Sequence, residues 1–282
     1  MIYKKDKLNV DGFNVNFLAK KYSTPIYCYS LKKIKENISI FKKNFRKIDP
    51  LICFAVKANA NINILKEIKN LNLGADVVSI GELMKALKAG IKPQKIVFSG
   101  VGKTNTELKY AVNKKILLIN TESKSEILEI EKIAKQKTRV VDIGIRLNPN
   151  VDPETISQIS TGKKENKFGI DEKMFLQLVK YVRNSKNLNL KCLSVHIGSQ
   201  ILNYKPYQKM LVAVDKIIKK SNYKFEYIDL GGGMGVDYSH SNTKLNLEKY
   251  SQSIQKFLKN NNSKIIFEPG RFIIGNAAIL IT

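Results

Sequence analysis

Lys57 directly follows the apolar run Leu51-Ile52-Cys53-Phe54-Ala55-Val56 and precedes Ala58-Asn59-Ala60-Asn61, so it stands where a buried strand gives way to a loop. An amine at the mouth of a β/α core loses hydration, which lowers its pKa and frees its lone pair to condense with a carbonyl. The plain alternative is a strand-end lysine stretching its aliphatic stem toward water. A second feature is Gly231-Gly232-Gly233 with Gly235, again placed after an apolar run. Residues without Cβ let main-chain N–H groups approach an anion closely, so this loop suits a phosphate. A tight turn with no ligand is the alternative for the glycines alone. A dinucleotide fingerprint fits less well, because Val236 stands where G-x-G-x-x-G requires glycine and the stretch comes late in the chain. An imine-forming lysine and a phosphate loop together suit pyridoxal 5′-phosphate.

Groups so far apart in sequence need a scaffold that gathers them. Eight apolar runs, 51–57, 75–78, 95–98, 116–119, 140–146, 190–196, 225–230 and 264–268, alternate with segments of helical period. Glu82-Leu83-Met84-Lys85-Ala86-Leu87 and Met174-Phe175-Leu176-Gln177-Leu178-Val179 are examples, and their Met and Phe read as core packing. This alternation predicts a (β/α)8 barrel; a doubly wound sheet is the alternative, since short apolar runs do not reveal closure. A barrel gathers its functional residues just after the strands. The strand exits read Lys57, Ser79, Ser99-Gly100, Asn120, Arg146, His196-Ile197-Gly198-Ser199, Gly231-Gly232-Gly233 and Glu268-Pro269-Gly270-Arg271. They hold two of the five arginines and one of the two histidines; His240 sits in a polar stretch and reads as a surface residue.

Composition excludes several classes. With 282 residues, 43% of them hydrophobic, the chain can bury a full core. No run of apolar residues is long enough to span a bilayer, and Met1-Ile2-Tyr3-Lys4-Lys5 does not open a signal peptide, so a cytoplasmic protein without a membrane role is expected. Cys28, Cys53 and Cys192 lack metal-ligand spacing and read as reduced thiols packed as small hydrophobes, and no metal site is expected. The net charge of +25 suggests nucleic acid at first sight, but the lysines are scattered and no recognition motif is present. No nucleic-acid partner is expected; a general attraction for anions remains.

Five segments together resemble the diaminopimelate decarboxylases, barrel enzymes of the alanine-racemase fold type. They are Phe54-Ala55-Val56-Lys57-Ala58-Asn59, Gly74-Ala75-Asp76-Val77-Val78-Ser79, Val195-His196-Ile197-Gly198-Ser199-Gln200, Asp229-Leu230-Gly231-Gly232-Gly233 and Glu268-Pro269-Gly270-Arg271. Thr161-Gly162-Lys163-Lys164 with Lys167-Phe168-Gly169 has the same likeness. The resemblance implies pyridoxal 5′-phosphate as cofactor and decarboxylation of meso-2,6-diaminopimelate to L-lysine, the end of lysine biosynthesis. It implies that Lys57 joins the cofactor and later returns a proton, and that His196 stacks on the cofactor ring. Ser199, Gly232, Gly233, Gly270 and Arg271 would hold the phosphate, and Glu268 would pair with the ring nitrogen. Arg271 and Arg146 would bind substrate carboxylate. Alternatives are an ornithine- or arginine-type decarboxylase, or a barrel that binds the cofactor without catalysis.

Two departures from the family pattern stand out. Ile80 replaces a usual glycine, which puts the local helix entry in question. The family also carries a C-terminal β-domain whose Cys-Glu-Ser segment and tyrosine complete the site across a homodimer. Here the chain ends at Ile279-Leu280-Ile281-Thr282, a strand-like tail expected to lack a partner. The expected organisation is therefore an N-terminal segment 1–30 belonging to a second β-domain, a cofactor-binding barrel at 31–275, and the start of a largely missing β-domain at 276–282.

Overall fold

Segments that are apolar on consecutive residues must bury both faces, and a closed ring of parallel strands sheathed in helices does this. The structure is a computed structural model describing residues 2–4, 6–163, 167–239 and 243–282. His240 and Lys164 of the motif at 161–164 lie outside the described residues. Ile2–Lys4 (β1), Lys7–Val10 (β2) and Phe13–Asn14 (β3) form an antiparallel sheet, followed by helix Val15–Tyr22 (α1) and strand Ile26–Tyr29 (β4). The barrel strands are Leu51–Ala55 (β5), Gly74–Val77 (β6), Ile96–Phe98 (β7), Leu118–Thr121 (β8), Val141–Arg146 (β9), Leu188–Ser194 (β10), Tyr227–Asp229 (β11) and Lys264–Phe267 (β12). Each pairs in parallel with its sequence neighbour, and β12 closes on β5 through Ile266↔Leu51 and Phe267↔Ile52. All eight expected runs form the ring.

The ring is sheathed by Leu31–Phe45 (α2), Ile62–Asn70 (α3), Ile80–Lys88 (α4), Asn105–Lys114 (α5), Lys124–Gln136 (α6), Glu172–Arg183 (α7), Lys205–Ser221 (α8) and Leu247–Leu258 (α9). Each presents an apolar stripe to the strands, such as Ile127, Ile130, Ile133 and Ala134 of α6 or Phe175, Leu178, Val179 and Val182 of α7. Each large apolar side chain so buried contributes roughly 1.5–3 kcal/mol. Met84 is an exception to the expected packing role: it lies on the outer side of α4, 46% exposed. Side-chain caps start the helices just beyond the strand exits, with Ser79 accepting from the Glu82 N–H and Ser123 from the Glu126 N–H. Ile80 enters α4 in ordinary helical fashion, its N–H donating to Glu107 Oε1 at 3.0 Å, so the missing glycine leaves the helix start intact.

Five strands end earlier than their apolar runs, three of them just before a candidate site residue. β5 stops at Ala55 and Val56–Ala58 coil into a single helical turn; β10 stops at Ser194 and β12 at Phe267. Lys57, His196 and Glu268 thus leave the ladder. At the C-terminus a short helix Arg271–Ile274 (α10) leads to Ala278–Ile281 (β13), which pairs antiparallel with β4 in the register Ile279↔Cys28 and Leu280↔Tyr27. The expectation that this tail lacks a partner is corrected: its main-chain groups are taken up by β4.

Candidate active site

The strand exits surround a cavity of about 360 Å³ lined by Lys57, Ser99, Gly100, Arg146, Phe168, Ser194, His196 and Glu268, among others. Lys57 reaches it from the turn after β5, and its Nζ donates to Asp76 Oδ2 on β6 at 2.7 Å. Asp76 is fully buried, while half of the lysine side chain stays open toward the cavity. Burial pushes the amine down, as the sequence reading expected, but the Asp76 and Glu268 carboxylates outweigh it and hold the ammonium above the ordinary lysine value. That is a correction of sign. At rest Lys57 is protonated, with Asp76 as its hydrogen-bond partner.

Deeper in the ring, Glu268 and Asp229 meet. Burial, then the Asp229 and Asp76 carboxylates, push Glu268 well above the usual carboxylate range. Glu268 and Asp229 are hydrogen-bonded to each other, and Asp229 is itself raised by burial. Asp229 also accepts from Asn120 Nδ2 at 2.8 Å and Ser194 Oγ at 3.3 Å, and Ser99 Oγ donates to Glu268 Oε1 at 3.1 Å. Among the described residues, Asp76 Oδ1 and Asn120 Oδ1 are buried without a partner.

His196 joins this pocket to the glycine loop. Its Nδ1 accepts from the Gly232 N–H at 3.3 Å; burial and then the charges of Arg146 and Lys57 hold its pKa well below the ordinary value, so the ring is neutral. Gly231 lies at φ +64°, where a Cβ would meet His196 Nδ1 at 2.6 Å. A Cβ on Gly232 would stand 2.2 Å from the Glu268 carbonyl oxygen, so the loop packs tightly against the Glu268–Arg271 exit. Arg271 Nε donates to Ser199 Oγ at 3.1 Å, and its Nη1 to the Tyr238 hydroxyl at 3.3 Å. Ser199, Gly232, Gly233, Gly270 and Arg271 are thereby drawn into one neighbourhood. No acceptor among the described residues takes the amides of Gly233, Gly270 or Arg271.

Arg146 is buried at the cavity wall, its guanidinium 4.8 Å from the centre of the Phe168 ring, and Nη1 donates to Glu122 Oε1 at 2.6 Å. The other Glu122 oxygen accepts from the Gly169 N–H at 2.8 Å. Of the strand-exit residues, Ser79 stays outside the cavity as the α4 cap, and Asn120 lies beneath it. Asp76, Asp229 and Glu122 carry electrostatic roles that sequence reasoning did not assign. For the two aspartates a signal existed, a charge inside an apolar run; Glu122 gave none.

The arrangement fits pyridoxal 5′-phosphate: an amine for its aldehyde, an acid deep in the pocket, and free amides on Gly233 and Gly270 where a Cβ would clash. Residues 31–275 match the family described as "Pyridoxal-dependent decarboxylase, pyridoxal binding domain". Diaminopimelate decarboxylase of Aquifex aeolicus is 40% identical over 286 residues, covering 99% of this chain and 67% of the relative. That of Helicobacter pylori strain J99 is 44% identical over 273 residues, covering 96% and 67%. The crystal structure of diaminopimelate decarboxylase from Helicobacter pylori complexed with L-lysine superposes with a TM-score of 0.91 at 41% identity, over 95% of this chain and 68% of the other.

Proposed function

Because this chain belongs to the pyridoxal-dependent decarboxylases, and among them to the diaminopimelate decarboxylase family, we propose that it releases CO2 from meso-2,6-diaminopimelate to give L-lysine. The observation that carries the reading is the Lys57–Asp76 pair opening onto a cavity that also holds His196, Arg146 and Glu268. Bound pyridoxal 5′-phosphate supplies an aldehyde for amine condensation and a ring that accepts the electron pair left when the carboxylate departs.

The chain's own groups do the rest. Lys57 must shed a proton before its lone pair can react, and Asp76 Oδ2, at 2.7 Å, fixes where the amine points. Lys57 Nζ later returns a proton to the substrate Cα in place of the lost carboxylate. Glu268, whose affinity for a proton is raised by burial and by Asp229 beneath it, is placed to pair with a ring nitrogen. Neutral His196 offers a flat face without adding charge. Gly233, Gly270 and Arg271 hold the phosphate through free amides and the Arg271 guanidinium, Ser199 through its hydroxyl, and Gly232 gives the close backbone approach. Arg146, clamped by Glu122, and the remaining fork of Arg271 bind substrate carboxylate.

The protein acts in the cytoplasm as a homodimer in this reading. Three free cysteines support a reducing compartment. Segments 1–30 and 276–282 belong to a second β-unit, supported by the pairing of β4 with β13 outside the barrel. Borohydride reduction of the chain with pyridoxal phosphate, followed by peptide mapping, tests the site: the label is expected on Lys57, and label elsewhere would overturn it. Radiolabelled CO2 release from diaminopimelate, ornithine and arginine tests the substrate, with diaminopimelate expected to be preferred.

A further inference from the structure

The main-chain groups of the glycine loop are almost all occupied. The Gly231 N–H donates to Asp229 Oδ1 at 2.9 Å and its carbonyl accepts from the Glu268 N–H at 2.8 Å. The Gly232 N–H goes to His196, and the Gly233 carbonyl accepts from the Ile201 N–H at 2.9 Å. What remains is the Gly232 carbonyl and the Gly233 N–H, the two ends of one trans peptide. The Gly232 carbonyl accepts from the Tyr207 hydroxyl of α8 at 3.1 Å, whereas nothing among the described residues accepts from the Gly233 N–H. In a trans peptide the C=O and N–H vectors oppose each other, so anchoring one end aims the other.

We propose that Tyr207 is a positioning residue for the anion cradle: its hydroxyl holds the Gly232 carbonyl on the helix side and thereby turns the Gly233 N–H toward the cofactor phosphate. The inference rests on the phosphate-holding role given to this loop above. Tyr207 is itself immobile, fully buried and stacked on Tyr250 with ring centroids 4.3 Å apart. Tyr250 is an internal control, because it is equally buried in the same stack but its hydroxyl has no partner. A Cβ on Gly233 would approach the Tyr207 oxygen to 3.1 Å and the Gly198 carbonyl oxygen to 2.3 Å, so the loop has no slack in which the peptide could turn with another residue present.

The test is titration of the cofactor-free full chain with pyridoxal phosphate and with pyridoxal, which lacks the phosphate, following absorbance. Tyr207→Phe is expected to weaken pyridoxal phosphate binding about three- to tenfold, the worth of one hydrogen bond, and to leave pyridoxal binding unchanged. Tyr250→Phe is expected to alter neither. Equal weakening of both ligands by Tyr207→Phe means a merely structural role and overturns the proposal, as does an undiminished preference for the phosphorylated ligand. If the wild-type chain binds the two ligands equally, the phosphate-holding reading itself fails and the proposal with it. Should Tyr207→Phe not fold, ¹⁵N-glycine-labelled wild type gives an independent answer: the Gly233 amide proton must move downfield on adding pyridoxal phosphate, and an unmoved amide overturns the assignment.

Discussion

Cys53, Val97, Leu118, Cys192 and Ile266, from five of the eight strands, pack into a fully buried apolar layer inside the ring. Two residues further along their strands the same interior is lined differently. Ala55 stands in register with Asp76, Ser194 with Asp229, and Asn120 follows Leu118 by two positions. The apolar layer needs nothing but close packing. The polar layer is costly to bury and persists because its carboxylates are met by Lys57, by a shared proton, or by amide and hydroxyl donors, and because it opens on a cavity. Stability and chemistry are therefore separated by about one strand repeat.

Substitutions in the two layers should differ in kind. The largest effect is expected from Lys57→Ala, which removes the borohydride-trapped label completely; mass spectrometry of the reduced chain reads this directly. In the apolar layer, Ile266→Ala should cost about 2–5 kcal/mol in urea unfolding through the cavity it leaves, yet the folded fraction should still label at Lys57. Loss of labelling in that variant would mean that the layers are not separable.

A smaller effect concerns Glu268. Its folded-state pKa lies above the ordinary 4.5, so the native chain keeps a proton that the unfolded chain releases, and stability falls as pH rises from about that value upward. Glu268→Gln should melt higher than wild type by a few degrees, with the difference growing from pH 5 to pH 8 in calorimetry of the cofactor-free protein. A difference independent of pH would contradict a protonated Glu268. The smallest expected effect is a displaced pH profile. Asp76 is the foremost group raising the Lys57 pKa, so Asp76→Asn should let the adduct with pyridoxal phosphate form at lower pH than in wild type, measured by absorbance under single-turnover conditions.

Much of this was legible in one dimension. A strand buried on both faces is a continuous apolar run, and all eight runs were readable for that reason. That Lys57, His196, Glu268 and the glycines would gather at one end of the ring was readable because they stand at strand exits, where the apolar run breaks. The sign of the Lys57 shift was not readable. Desolvation is local to its own run, but Asp76 lies 19 residues away and Glu268 much further, and only ring closure sets both beside the amine. The partnership of β4 with β13 was missed because antiparallel pairing across most of the chain leaves no periodic signal.

Chain order and side-chain type were enough to specify an eight-unit ring and to gather a lysine, a histidine, a glutamate and a glycine loop at its strand exits, since hydrophobic period and strand-exit position are properties of neighbouring residues. Protonation states, the Glu122 clamp on Arg146 and the Tyr207 anchor behind Gly232 were decided in three dimensions alone. Electrostatic and hydrogen-bond energies depend on distance through space, and folding sets those distances without regard to separation along the chain.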